Sequence, residues 1–148
     1  EVKKDGLIIS DGESNRHNQQ LIEKLLENHD YPILAIGSSF LYIVALAGGV
    51  IGESREKGRR EIKIRVSRAC PLTTELRTCK VVKTSEFIVR ELPEIFRATA
   101  VSYESKFEII EDLENPLFGV HFNPELGLDG IKILKNFINF VEVWKKYH

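Results

Sequence analysis

Methionine is absent from this 148-residue chain, even at position 1. A natural chain starts with one, so the sequence reads as shortened from a longer one. Cysteine is scarce. Cys70 and Cys79 build neither a disulfide framework nor a metal cluster. They read as free thiols in a reducing cytosol, the alternatives being a single bridge or a reactive thiol. Net charge is almost absent, at -1, which points away from nucleic acid and from membrane surfaces as partners. No apolar run approaches the roughly 18 residues of a membrane span, and the visible start carries no secretory pattern. A cytoplasmic chain with neither metal nor cofactor is expected. What is present is 43% hydrophobic and 29% charged residues, the balance of a soluble globular protein. Residues 1–148 fit one domain, long enough to bury a core without disulfides or metal.

The organising stretch is 31–52, YPILAIGSSFLYIVALAGGVIG. Pro32-Ile33-Leu34-Ala35-Ile36 is apolar, too short for a helix and flanked by turn formers, which suits a buried parallel strand. Gly37-Ser38-Ser39 makes a sharp turn. Residues 40–47 are apolar on nearly every side, as in a buried helix. Gly48-Gly49 then stops the helix. Strand, small-residue turn and helix form the elbow on which α/β enzymes mount a nucleophile, at the carboxyl edge of a sheet. In an ordinary elbow, Ser38 and Ser39 would simply cap the helix.

Upstream, residues 5–10 read as a short buried strand and Asp11-Gly12-Glu13-Ser14 as a turn. Residues 18–29 repeat Leu21, Ile22, Leu25 and Leu26 at helical spacing, with His17 and His29 at the two ends as surface or capping residues. Downstream, Lys57, Arg59 and Arg60 make a solvated loop or an anion site. Residues 61–66 alternate as a half-exposed strand does, and 79–84 give the next strand. Between them the chain around Cys70-Pro71 is irregular, with one helical turn. Antiparallel strands at 96–103 and 106–111 precede a buried strand at 117–122. Residues 129–146 form a long helix whose apolar face is Ile131, Leu134, Phe137, Ile138, Val141 and Trp144.

The elbow resembles that of the class I glutamine amidotransferases, whose pattern is roughly P-I-L-G-I-C-x-G-x-Q-x-(I/L)-A-x-x-x-G-G-x-V. Pro32, Ile33, Leu34, Ile36, Gly48 and Gly49 match. Further anchors follow in order. Residues 5–10 resemble the family's D-G-(I/L)-I-(I/L)-S, and Leu92-Pro93 its L-P. Residues 119–125, GVHFNPE, resemble G-V-Q-F-H-P-E, and Gly130, Ile133, Leu134, Asn136 and Phe137 fit the closing G-x-x-(I/L)-(L/F)-x-N-F. Within the family the pattern is similar to the glutaminase half of GMP synthetase.

The resemblance implies a doubly wound, mainly parallel sheet flanked by helices, flavodoxin-like, with an antiparallel strand extension. It also implies that the usual first strand, helix and strand, on the order of 40 residues, are missing before residue 5. The family hydrolyses glutamine and transfers ammonia, using a cysteine, a histidine and an orienting acid. Here the cysteine position is Gly37, the histidine position is Asn123, and the acid is kept as Glu125. Gly12 keeps the oxyanion-hole glycine, with Asp11 and Glu13 replacing its neighbours. Thr84 and Ser85 stand where the family often has serine and histidine. Glycine cannot attack, and asparagine cannot act as a base near neutral pH. The expectation is therefore an inactive domain that binds, regulates or scaffolds. Its pocket would be lined by Gly12, Gly37, Ser38, Asn123 and Glu125. Its partners would be a synthetase or another protein, or a small ligand such as glutamine. The alternative is an active amidotransferase subunit, or another hydrolase, with a displaced serine: Ser38 or Ser39 relayed by His121 and Glu125.

Overall fold

The computed structural model describes residues 5–12, 16–27 and 29–148. The expectations for Glu13 and Ser14 lie outside them. In chain order the elements are β1 (Leu7–Ile9), α1 (Arg16–Glu27), β2 (Ile33–Ile36), α2 (Ser38–Leu46), β3 (Val50–Glu53), β4 (Arg60–Val66), β5 (Thr78–Lys83), β6 (Phe87–Glu91), β7 (Phe96–Val101), β8 (Ile109–Asp112), β9 (Leu117–Val120) and α3 (Leu128–Tyr147).

All four residues of β2 are buried because both faces of the sheet are covered. Alternation along the strand divides them. Leu34 and Ile36 join a core with Ile133, Phe137 and Val141 of α3. Ile33 and Ala35 join a second core with Phe40, Ile43 and Val44 of α2 and Ile22 of α1. The main sheet runs β1-β2-β9-β8-β7-β4-β5, with β3 and β6 forming a separate ribbon. β1, β2 and β9 are parallel, and β8, β7, β4 and β5 add the antiparallel extension. This is the flavodoxin-like α/β frame that the resemblance implies. β4 pairs with β7 only at Arg65 and Val66, but with β5 from Arg60 to Arg65. The free end of that hairpin comes over the carboxyl ends of the parallel strands, where Val82 bridges to Asn123.

Several local expectations change. β1 is shorter than predicted and lies at the sheet edge, leaving Ile8 41% exposed. α1 spans Arg16–Glu27 rather than 18–29, and of its predicted apolar face only Ile22 is buried, Leu21 being exposed. The buried face of α3 is Gly130, Ile133, Asn136, Phe137 and Val141, while Ile131 and Ile138 are exposed. The face is rotated because α3 packs on the 3-10 turns at Pro71–Thr73 and Pro124–Leu126. Asn136 donates to the carbonyls of Leu72 and Thr74 there, and a Cβ on Gly130 would collide with the main chain of Pro124. Strand β6 has no counterpart among the elements expected from the sequence. Cys70 and Cys79 are free and buried. The alternative bridge between them is not formed, and burial pushes both thiols up to about 11, away from thiolate character near neutrality. His29 Nδ1 donates to the Tyr31 carbonyl. Among the described residues, no helix is long and apolar enough to cross a membrane.

Candidate functional site

β2 ends at Ile36, the chain turns at Gly37, and α2 starts at Ser38. Gly37 has φ 61° and ψ −115°, a left-handed conformation that side chains rarely adopt. Its N–H donates to the Val120 carbonyl at 3.0 Å, which ties the turn to the end of β9. The sharp elbow predicted from the glycine and two serines is formed.

The space beside Gly37 is taken by Asp11. A Cβ built on Gly37 would lie 2.6 Å from the carboxyl carbon of Asp11 and 2.8 Å from both its oxygens. Asp11 Oδ1 accepts from the Ser38 N–H at 3.0 Å, so a carboxylate sits at the start of α2, where the helix dipole favours negative charge. Asn123 Nδ2 donates to Asp11 Oδ2 at 3.1 Å and to Glu125 Oε1 at 3.3 Å. Thr84 Oγ1 donates to Asn123 Oδ1 at 3.0 Å. A hydroxyl donor on one side and two carboxylates on the other fix which way the amide points. Thus Asp11, Gly37, Ser38, Thr84, Asn123 and Glu125 meet at one place.

The serines are not helix caps. The residue before α2 is Gly37, and neither hydroxyl caps the helix. Ser38 Oγ donates to the Gly12 carbonyl at 2.7 Å and accepts from the Gly12 N–H at 3.1 Å. Ser39 Oγ donates to the Ser10 carbonyl at 2.9 Å. Both therefore hold the chain after β1 against the elbow. A cavity of about 340 Å³ opens beside this seam, between β1, α1 and α2, with Leu7, Ile9, Ser10, Gly12, Ser38 and Tyr42 in its lining. Of the expected pocket residues it contains Gly12 and Ser38, but not Gly37, Asn123 or Glu125.

His121 goes elsewhere. It is 1% exposed and stacks on Phe40 with ring centroids 5.2 Å apart. Its Nδ1 is 3.9 Å from Glu108 Oε1, and neither ring nitrogen has a hydrogen-bond partner among the described residues. Burial, then the neighbouring Lys83 cation, hold its pKa well below the ordinary 6.5. His121 therefore relays neither Ser38 nor Ser39 to Glu125.

Sequence reasoning also misses a second polar centre, around His121. Lys83 Nζ donates to both carboxylate oxygens of Glu108, at 2.9 and 2.7 Å, and both residues are fully buried. Ser102 Oγ donates to Glu108 Oε2 at 2.6 Å. Glu104 links Lys83, at 3.9 Å, to Arg60, whose Nε donates to Glu104 Oε2 at 2.8 Å. Arg60 of the basic run is thus in an ion pair, while Lys57 and Arg59 are exposed. The alternation Cys79, Val81, Lys83 is the signal that Lys83 points inward.

The pattern of the glutamine amidotransferase class-I family matches residues 1–140. A glutamine-hydrolyzing GMP synthase subunit of Archaeoglobus fulgidus is 30% identical over 145 residues, covering 96% of this chain and 77% of that protein. The corresponding GMP synthase subunit of Pyrococcus abyssi is 32% identical over 138 residues, covering 89% and 73%. Among solved structures, a candidate GMP synthase subunit from Thermoplasma acidophilum superposes with a TM-score of 0.86 at 22% identity, covering 97% of this chain and 75% of that one.

Proposed function

The chain belongs to the glutamine amidotransferase class-I family, and from that premise we propose that it is a catalytically inactive member that works by binding. One observation carries the reading: the Asp11 carboxylate occupies the space a nucleophilic side chain on Gly37 would need, and takes the Ser38 N–H. In elbow enzymes the N–H after the nucleophile stabilises the oxyanion of the intermediate. Here that donor faces a fixed negative charge, and the Gly12 N–H is engaged by Ser38 Oγ. Developing charge on a bound amide would be repelled rather than stabilised. With neither a nucleophile at Gly37 nor a base at Asn123, thioester chemistry has no starting point.

The relatives are named as subunits of GMP synthase, so a synthetase-type protein is the proposed partner and glutamine the first ligand to test. The displaced-serine alternative lacks comparable support, since both hydroxyls donate to carbonyls and His121 lies apart from them.

The test is ammonia release from glutamine by the full-length protein and by a Ser38→Ala/Ser39→Ala variant. No release above a protein-free blank is expected from either. Release by the natural protein that vanishes in the variant would overturn the proposal. A Gly37→Cys/Asn123→His variant should stay inactive while Asp11 is present, and adding Asp11→Gly should be needed for any gain.

A further inference from the structure

The proposed function leaves the buried charges unexplained. Lys83, Glu108, Glu104, Arg60 and Ser102 form one hydrogen-bonded cluster, and its outer members hold loops rather than core. Arg60 Nη1 donates to the Gly58 carbonyl at 2.7 Å and Nη2 to the Ser85 carbonyl at 3.1 Å. Glu104 and Ser102 belong to the turn between β7 and β8. The cluster therefore fastens three connections, around 58, 84–87 and 102–106, over one end of the sheet.

His121 lies at its base. The charged groups around it are Lys83 from β5, Glu108 just before β8 and Arg60 from β4. α2 presents the uncharged ring of Phe40, and the main chain of Phe87 lies alongside. The two cations and the carboxylates Glu104 and Glu108 already balance. The main chain of Phe87 favours a proton on His121, but burial and the Lys83 cation outweigh it, and the nearest carboxylate oxygen, Glu108 Oε1, is 3.9 Å away, beyond hydrogen-bond reach. What lies over the ring is the start of β6, which pairs only with β3 in the two-stranded ribbon. A two-stranded ribbon is marginally stable by itself.

We propose that this cluster is an acid-released latch: His121 takes no proton while the loops at 84–87 and 102–106 are down, and takes one when they lift, so acid frees these loops ahead of the rest of the fold. The sign follows from linkage. The closed state holds the imidazole neutral and well below its ordinary 6.5, whereas the open state returns it to water. The latch is thus fully closed above the ordinary value and weakens as pH falls from there toward the closed-state value. One proton separates the two states, so opening rises about tenfold for each pH unit below about 6.5.

The experiment is native-state hydrogen exchange on the full chain between about pH 7.5 and about pH 5, each rate divided by its intrinsic value. Protection at 84–87 and 102–106 should fall about tenfold per pH unit below about 6.5, while amides of β1 and β2 hold. His121→Phe, which keeps the stack on Phe40, should abolish that loop dependence; His121→Leu gives the same reading if the phenylalanine variant does not fold. In parallel, the imidazole signals of His121 in the natural protein should stay neutral where an ordinary histidine titrates. A uniform loss of protection across the fold would overturn the latch. So would loop dependence that survives in the variants, or a His121 ring that titrates near 6.5 with the loops closed.

Discussion

Two polar centres lie at the same end of this sheet, and two chain segments contribute to both. Lys83 and Thr84 are consecutive, yet Lys83 enters the buried ion cluster with Glu108 while Thr84 donates to Asn123 at the elbow. His121 and Asn123 are two residues apart, and they too divide between the centres. At the elbow the backbone of a nucleophile turn is kept, and an exposed carboxylate, Asp11, fills the space at Gly37. In the cluster, side chains of full charge lie out of water, each held by its neighbours. Water can replace a lost partner at the elbow, and nothing can replace one in the cluster. That difference sets the order of the mutational effects.

The largest effect belongs to Lys83→Met. It leaves Glu108 buried with Ser102 as its remaining side-chain donor among the described residues, and removing one partner of such a pair costs about 3 to 5 kcal/mol. Lys83→Met/Glu108→Leu should recover most of this, because a well-packed apolar pair is often as stable as the ion pair it replaces. Urea denaturation measures both. A single-variant cost below about 1 kcal/mol would erase the contrast between the centres.

Gly37→Ala comes next. Its Cβ would meet the Asp11 carboxylate at 2.6 to 2.8 Å, and its φ of 61° is unfavourable for alanine. The backbone strain alone is worth about 1 to 3 kcal/mol. Asp11→Gly/Gly37→Ala should cost less than Gly37→Ala alone, because the clash disappears and only the strain remains. Equal costs would mean that Asp11 swings into water freely and does not plug the elbow.

The elbow is more legible in the sequence than the cluster, for a physical reason. Strand β2, the turn and α2 are contiguous, so apolar run, small residues and glycine pair mark them locally. The motif puts Asp11 beside Gly12, which the resemblance aligns with the family's oxyanion-hole glycine, though the fit of its carboxylate against Gly37 needs the fold. The cluster joins Arg60 of β4, Lys83 of β5, and Glu104 and Glu108 of the β7–β8 connection, three separate parts of the chain, and charged residues in strands ordinarily face water. Strand alternation puts His121 on the same face as Asn123. But β9 ends at Val120, so the period of two stops applying before Asn123 is reached. On α3, the predicted stripe fails at Ile131 and Ile138 because an asparagine and a glycine face the neighbouring turns, and burial there follows close approach rather than hydrophobicity.

The smallest effect, Asn123→Ala, tests the contrast most sharply. Asn123 is itself buried, and its amide holds Thr84, Asp11 and Glu125 together. Counting bonds alone would rank it beside Lys83. Its carboxylate partners, however, are exposed, so water takes over their lone pairs once the amide is gone, and a net cost of about 1 kcal/mol is expected. The main-chain bond from Asn123 N–H to the Val82 carbonyl is untouched by the substitution and keeps the β5 end in place. Amides near Lys83 and Glu108 should therefore keep their exchange protection while the Asp11 turn loosens. A loss comparable to that of Lys83→Met, or loosening that spreads into the buried cluster, would mean that the two centres act as one cooperative unit in which Thr84 and Lys83 move together.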